Sequence, residues 1–208
     1  MASEESRLDF DFFLVLDFEA TCQEGARITP QEVIEFPVVC VCAKSRAIVW
    51  ELQNYVKPVV HPRLSPFCTS LTGITQDTVD AGISFPAALD ALTAKMRETG
   101  LLPVMPSSPR FIFVTCGDWD LQVMLSGQLR LSNLKRPSFF NQWINIKQPF
   151  MTKYRQTHSL GMAAMLKVLK MKMVGRHHSG IDDCRNIAAI LLRMIADSTA
   201  LKATKQLR

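Results

Sequence analysis

Asp17 and Glu19 close an apolar run, FFLVLDFEAT over residues 12–21. Residues two apart on a strand share a face. The two acids therefore project together, with Phe18 turned to the other side. Burying two carboxylates side by side is costly without a compensating cation. A hard divalent ion with oxygen ligands supplies one. A second apolar run, FIFVTCGDWD over 111–120, ends in Asp118 and Asp120. Strand ends at one sheet edge would let these acids meet the first pair, or one of them caps the helix that follows. A third segment, GRHHSGIDDCRN over 175–186, places Asp182 and Asp183 at the start of the last helix. Capping and the helix dipole also favour acids there. His177 and His178 lie just before, in a Gly-containing loop, where a near-neutral base beside a metal-binding acid suits the activation of water. Four acids from three segments and one histidine are compatible with two-metal phosphodiester hydrolysis, the ions about 3.5–4 Å apart.

Three strands are expected early: 12–18, then EVIEFPVVCVCA (32–43), then AIVWELQNYVKP (47–58), with Ile48, Trp50 and Leu52 alternating against polar neighbours. Short connections predict an antiparallel meander. HPRLSPFCTSLTGITQDTVDAG (61–82) reads as loops and short helical turns. SFPAALDALTAKMRETG (84–100) predicts a helix capped by Ser84, buried through Leu89, Leu92 and Met96, and ended by Gly100. Phe111 to Cys116 is a second buried strand, and LQVMLSGQLRL starts a helix. Residues 132–158 are irregular, with a short strand near Trp143 to Ile146. SLGMAAMLKVLKM predicts an amphipathic helix capped by Ser159. IDDCRNIAAILLRMIADST predicts a helix burying Ile187, Ile190, Leu191 and Met194. This order implies an α/β fold with a mixed β-sheet flanked by α-helices.

At 208 residues the chain reads as a single domain, 1–208, with a core over about 10–197 and frayed ends. No apolar run reaches the roughly 18 residues of a membrane span. The start, MASEESRLDFDFF, is acidic and lacks the basic and apolar segments of a secretory signal. An intracellular protein of cytoplasm or nucleus is expected, with six reduced cysteines, none in a C-x-x-C pair. Charge is divided unevenly. Residues 1–120 carry 9 Lys and Arg against 16 Asp and Glu, whereas residues 121–208 carry 15 against 3. The basic half suggests a polyanion partner or a solvated surface.

DFEAT (17–21), GDWD (117–120) and HSGIDD (178–183) resemble, in order, the three motifs of the DEDDh 3′-to-5′ exonuclease superfamily. The phrases QEVIEFPVV, YVKPVVHPRLSPFCTSLTGITQDTVD, FNQWINIK and GRHHSGIDDCRNIA are similar to its enhanced-RNAi and histone-mRNA 3′ exonuclease branch, over residues 12 to about 195. The resemblance implies a ribonuclease H-like fold. It implies that Asp17, Glu19, Asp120 and Asp183 hold metal, with Glu19 also counted in the catalytic set. Asp118 becomes a support or cap. His178 becomes the general base, since His178 and Asp183 fit the family spacing; His177 and Asp182 fit it too. Ala20, Thr21, Phe67, Leu71, Trp119 and His178 would contact the terminal nucleotide, the aromatics by stacking on bases. Lys153, Arg155, Lys170, Lys172 and Arg176 are expected phosphate contacts. Only about eleven residues precede the first strand, so a stand-alone nuclease without an added nucleic-acid-binding segment is expected.

The function so implied is a 3′-to-5′ exoribonuclease that hydrolyses single-stranded RNA 3′ ends with two Mg2+ or Mn2+ ions and releases nucleoside 5′-monophosphates. The alternatives are a DNA 3′ exonuclease of the same fold and a non-catalytic RNA-binding adaptor.

Overall fold

A computed structural model describes residues 8–25 and 28–207. The first seven residues of the acidic start lie outside them. One mixed sheet carries the fold. Strands β1 (Phe12–Leu16), β3 (Val33–Cys42) and β4 (Ala47–Tyr55) form an antiparallel meander, with Leu16 opposite Val38 and Val38 opposite Leu52. The short β2 (Glu19–Ala20) continues β1 along β3 after a break at Asp17 and Phe18. On the other side of β1 come β5 (Phe111–Thr115) and β6 (Gln142–Asn145), both parallel to it. Antiparallel β7 (Lys205–Gln206) ends that side.

Alternation along β1 builds both cores. Phe13 and Val15 pack on one face with α5 (Lys147–Lys153), α6 (Met162–Val168) and α7 (Gly180–Ala196). Leu14, Leu16 and Phe18 pack on the other with α3 (Phe85–Glu98) and the helix after β5. That second helix begins as a π-helical turn, Trp119–Met124, and continues as α4 (Leu125–Leu131). The expected α3 forms, its Ser84 side chain accepting from Ala87 N at 3.3 Å. The 61–82 segment holds α1 (Pro66–Thr72) and α2 (Gln76–Asp80), capped by Ser65 and Thr75. Among the described residues, no helix is long and apolar enough to cross a membrane.

Three expectations fail. Residues 132–158 are not irregular throughout, because α5 lies among them with Phe150 buried in the core. Ser159 caps nothing: α6 starts at Met162 behind Gly161, and no side chain caps it. Its apolar residues Met162, Met165 and Leu166 are buried, so packing rather than a cap holds this short helix. Residues 201–206 are not frayed either. Leu201 is buried, Thr204 Oγ1 accepts from Asn145 N at 2.7 Å, and Lys205 pairs with Trp143. The tail covers what would otherwise be the open edge of β6. Leu201→Ala should therefore cost about 2–4 kcal/mol, as for other buried leucines. Denaturant unfolding checks this; an unchanged midpoint would show that the tail is not packed.

Candidate active site

The break between β1 and β2 is made by the site itself. Phe18 N leaves the ladder and donates to Asp120 Oδ1 at 2.9 Å. Phe18 turns its ring to the opposite core, edge-on to Phe36 with centroids 4.8 Å apart. Asp17 and Glu19 then share the face that α7 covers. Asp183, in the first turn of α7, meets them: ligand oxygens of Asp17, Glu19 and Asp183 all lie within 4.8 Å of one another. Helix α7 approaches closely because its first residue is glycine. A Cβ on Gly180 would stand 2.8 Å from the Asp17 carbonyl oxygen and 3.0 Å from Pro37.

Burial and mutual repulsion hold these carboxyls far from their ordinary range. Burial, then Asp120, Glu19, Asp183 and Glu35, push Asp17 well up. Burial, with Glu35, Asp183 and Asp120, pushes Glu19 to about 9. Burial raises Asp120 to about 6 against the bond from Phe18 N, and Lys147 also favours its charged form. Asp183 rises to about 6, again chiefly by burial, although His178 N donates to its Oδ2 at 3.0 Å. Asp183 Oδ1 is buried with no hydrogen-bond partner. A buried carboxylate oxygen without a partner is expensive. An all-oxygen set with one unspent oxygen fits a hard divalent cation, and Asp17, Glu19 and Asp183 would hold it, with Asp120 adjoining through Phe18.

The two Asp positions on α7 have different tasks. Asp182 Oδ2 accepts from Arg176 N at 3.0 Å and its Oδ1 from Arg185 Nη1 at 3.1 Å, and Arg185 also binds Glu51. Asp182 is thus tied to the loop and to β4, while Asp183 joins the acids. Asp118 accepts from Trp143 Nε1 at 2.9 Å and Asn145 Nδ2 at 3.1 Å, bracing β5 against β6; its side chain caps no helix. His178 has a positive φ of 64° and is half-buried, its ring stacked on His177 with centroids 4.0 Å apart. Burial, His177 and Arg176 lower its pKa from the ordinary 6.5.

Helix α1 borders the site: Cys68 Sγ donates to Ala20 O at 3.7 Å and Ser65 Oγ to Cys22 O at 2.7 Å. It carries Phe67 and Leu71 one turn apart. Phe67 is 37% exposed and Trp119 38%, so neither is a core residue. Ala20 is buried, and Thr21 Oγ1 accepts from Glu32 N at 3.0 Å, so that hydroxyl is used inside the fold. Of the basic residues, Arg176 Nη2 donates to the carbonyls of Ser70 and Leu71 at the end of α1, and Lys153 Nζ to the carbonyl of Asp197. Arg155, Lys170 and Lys172 are exposed.

Glu35 was absent from the residues expected at the site. It lies opposite Glu19 across β2 and β3, is 1% exposed, and accepts from Gly180 N at 2.9 Å, Ile181 N at 3.0 Å and Gln53 Nε2 at 2.9 Å. It caps α7 from a neighbouring strand, which Ser179 at the cap position does not do. An acid flanked by Ile34 and Phe36 in a buried strand was the available signal.

A family profile for exonucleases of the RNase T type matches residues 14–191. The chain belongs to the DEDDh exonuclease family. It is 44% identical over 197 residues to ERI1 exoribonuclease 3 of Homo sapiens, covering 95% of this chain and 57% of that one. It is 39% identical over 211 residues to 3′-5′ exoribonuclease 1 of Rattus norvegicus, covering all of this chain and 60% of that one. The exonuclease chain thus spans less than two thirds of the length of these relatives. The nuclease domain of 3′hExo, a DEDDh family member solved with bound rAMP, superposes with a TM-score of 0.88 at 37% identity, over 96% of this chain and 98% of that one. The cell-death related nuclease CRN-4 superposes at 0.85 and 30% identity, over 93% and 67%. The ribonuclease H-like fold follows. The DEDDh exonucleases depend on divalent metal, and the converged acids provide a fitting site.

These shifts have a stability consequence with a definite sign. Each carboxyl pushed up binds its proton more tightly folded than unfolded, so the folded chain holds more protons and stability falls as pH rises. The loss runs from the ordinary carboxyl range through about 6 for Asp120 and Asp183 to about 9 for Glu19. Metal-free protein should melt lower at pH 8 than at pH 5, and Mg2+ or Mn2+ should raise Tm more at pH 8. Equal metal increments at both pH values would show that these acids are not held together.

Proposed function

We propose that this chain is a metal-dependent 3′-to-5′ exonuclease that trims single-stranded RNA 3′ ends. The observation that carries the reading is the cluster of Asp17, Glu19 and Asp183 around an unpartnered carboxylate oxygen, with Asp120 beside it and His178 on the adjoining loop. RNA is favoured over DNA by the company the chain keeps. Its relatives are named exoribonucleases, and one structural neighbour is described in 3′-end specific recognition of histone mRNA stem-loop.

Two Mg2+ or Mn2+ ions, when bound by the acids, neutralise charge on the phosphate oxygens and favour ionised water. The chain's own groups do the rest. His178, its pKa lowered, is neutral at pH 7 and accepts the proton of the attacking water. The attack is in line; the bond to the departing 3′ oxygen breaks, and a nucleoside 5′-monophosphate leaves. Phe67 and Trp119, exposed, and the half-buried Leu71 offer apolar surface to the terminal sugar and base, where stacking is tolerant of sequence. Ala20 and Thr21 bring their backbone to the same nucleotide. Arg155, Lys170 and Lys172, exposed, are the basic residues left for phosphates, because Lys153 and Arg176 bond to backbone carbonyls.

The test is a time course on 5′-labelled single-stranded RNA, with Mg2+, Mn2+ or EDTA, beside DNA of the same sequence. A ladder shortening by one nucleotide, lost with EDTA, is expected. Asp17→Ala should reduce the rate at least about a hundredfold, since loss of even an outer partner of a metal ligand costs about 10–100-fold. Preferential shortening of DNA would move the substrate to DNA. RNA bound but uncut with Mn2+ present would make the chain an adaptor.

His178→Ala should lower kcat about 10²–10⁴-fold, the usual worth of a general base. Protonation removes the base, so activity falls on the acidic side, and the lowered pKa places the midpoint of that fall below 6.5. An acid limb unchanged by the substitution would exclude His178 as the group that titrates.

A further inference from the structure

The histidine loop holds more than a single base requires. The left-handed turn at His178 sets its imidazole against that of the preceding residue, with the ring planes 19° apart. Ligand atoms of His177, His178 and Asp183 all lie within 4.8 Å of one another. Asp183 contributes to this group while its Oδ1, buried in a residue only 4% exposed, has no hydrogen-bond partner. Its other oxygen is occupied by His178 N. His177 is exposed, so its ring has room to rotate toward a common centre. The guanidinium of Arg176, which precedes His177 in the chain, is drawn away to the carbonyls of Ser70 and Leu71.

Two imidazoles and a carboxylate are a donor set of different chemistry from the neighbouring Asp17, Glu19 and Asp183. Hard Mg2+ prefers oxygen and keeps its water. Zn2+ takes imidazole nitrogen readily, at about 2.0–2.1 Å and in tetrahedral geometry, and stands near the top of the affinity order for such sites. We propose that His177, His178 and Asp183 form a second, transition-metal site, selective for Zn2+ over Mg2+, whose occupation switches the enzyme off. Zn2+ there would take the lone pair that His178 needs as a base. It would also draw Asp183 from the oxygen set that it shares. The inhibitory half of the proposal rests on the nuclease reading above; the binding half does not. His177 is the residue that makes the site, and in the hydrolysis as derived it touches neither water nor substrate and only helps to hold the His178 pKa down.

The experiment uses the full chain with millimolar MgCl2 present throughout. ZnCl2 is titrated calorimetrically into wild type, His177→Ala and His177→Gln, and the same three proteins cleave labelled RNA at increasing ZnCl2. Wild type should bind Zn2+ with an affinity that both substitutions weaken at least about tenfold, the usual scale for disturbing a metal site. The half-inhibitory Zn2+ concentration should rise by the same factor, while activity in Mg2+ alone is retained at pH 8, where His178 is neutral in all three proteins. No Zn2+ bound by wild type, or equal Zn2+ affinity in all three proteins, overturns the site, whatever the cleavage assay shows. Cleavage inhibited alike in all three overturns the switch and leaves the nuclease reading standing. Zn2+ binding that depends on His177, with no cleavage in any lane, supports the site and overturns the nuclease reading instead.

Discussion

Repulsion among carboxylates is the constraint around which this molecule is arranged. Asp17, Glu19, Glu35, Asp120 and Asp183 meet at one end of the sheet, and the other four all raise the proton affinity of Asp17. In water such a group would fly apart. Here three of the five are pinned by backbone amides from another segment or an adjacent turn: Asp120 by Phe18, Asp183 by His178, Glu35 by Gly180 and Ile181. Hydrogen bonds to an ionised acceptor are among the stronger ones. Amides of the main chain also have far less freedom than side-chain donors, so the acids are positioned by the fold itself. The two apolar layers on either side of β1 keep those segments from moving apart.

The same economy governs the basic half of the chain. Its excess positive charge would suggest a surface given over to phosphate. Several of these cations have structural tasks instead. Arg176 fastens the histidine loop to α1, Arg185 joins Asp182 to Glu51, Arg193 binds Asp197, and Arg136 holds the carbonyls of Leu121 and Phe140. The guanidinium fork is suited to such multiple bonds, and once so engaged it is less available to a polyanion.

Where a feature depends on neighbours in sequence, it could be read from the sequence. The buried strand over 12–16, the meander, the Ser84 cap and the buried face of α7 all follow from periods of two or of three to four residues. The pairing of Asp17 with Glu19 on one face follows in the same way. Glu35 was hidden because its importance lies in being opposite Glu19, and strand register is fixed by packing at a distance. The packing of the tail is illegible in the sequence for a related reason: Leu201 has little local pattern, and only the open edge of β6 gives it somewhere to go. Ser159 shows the converse error, a good cap residue two positions too early for the helix that packing selects. The choice between Asp182 and Asp183 could not be made from spacing, because the His-to-Asp interval occurs twice.

The π-helical turn at Trp119–Met124, closed by Leu125 N on Asp120 O, spends one residue more than an α-turn would. That surplus lets Asp120 reach Phe18 while Leu125 and Leu129 remain in the core below. Removing one residue would convert the turn to ordinary α-helix and rotate Asp120 about 100° relative to the buried stripe of α4. An insertion or deletion in this corner would therefore displace Asp120 as surely as a substitution would remove it.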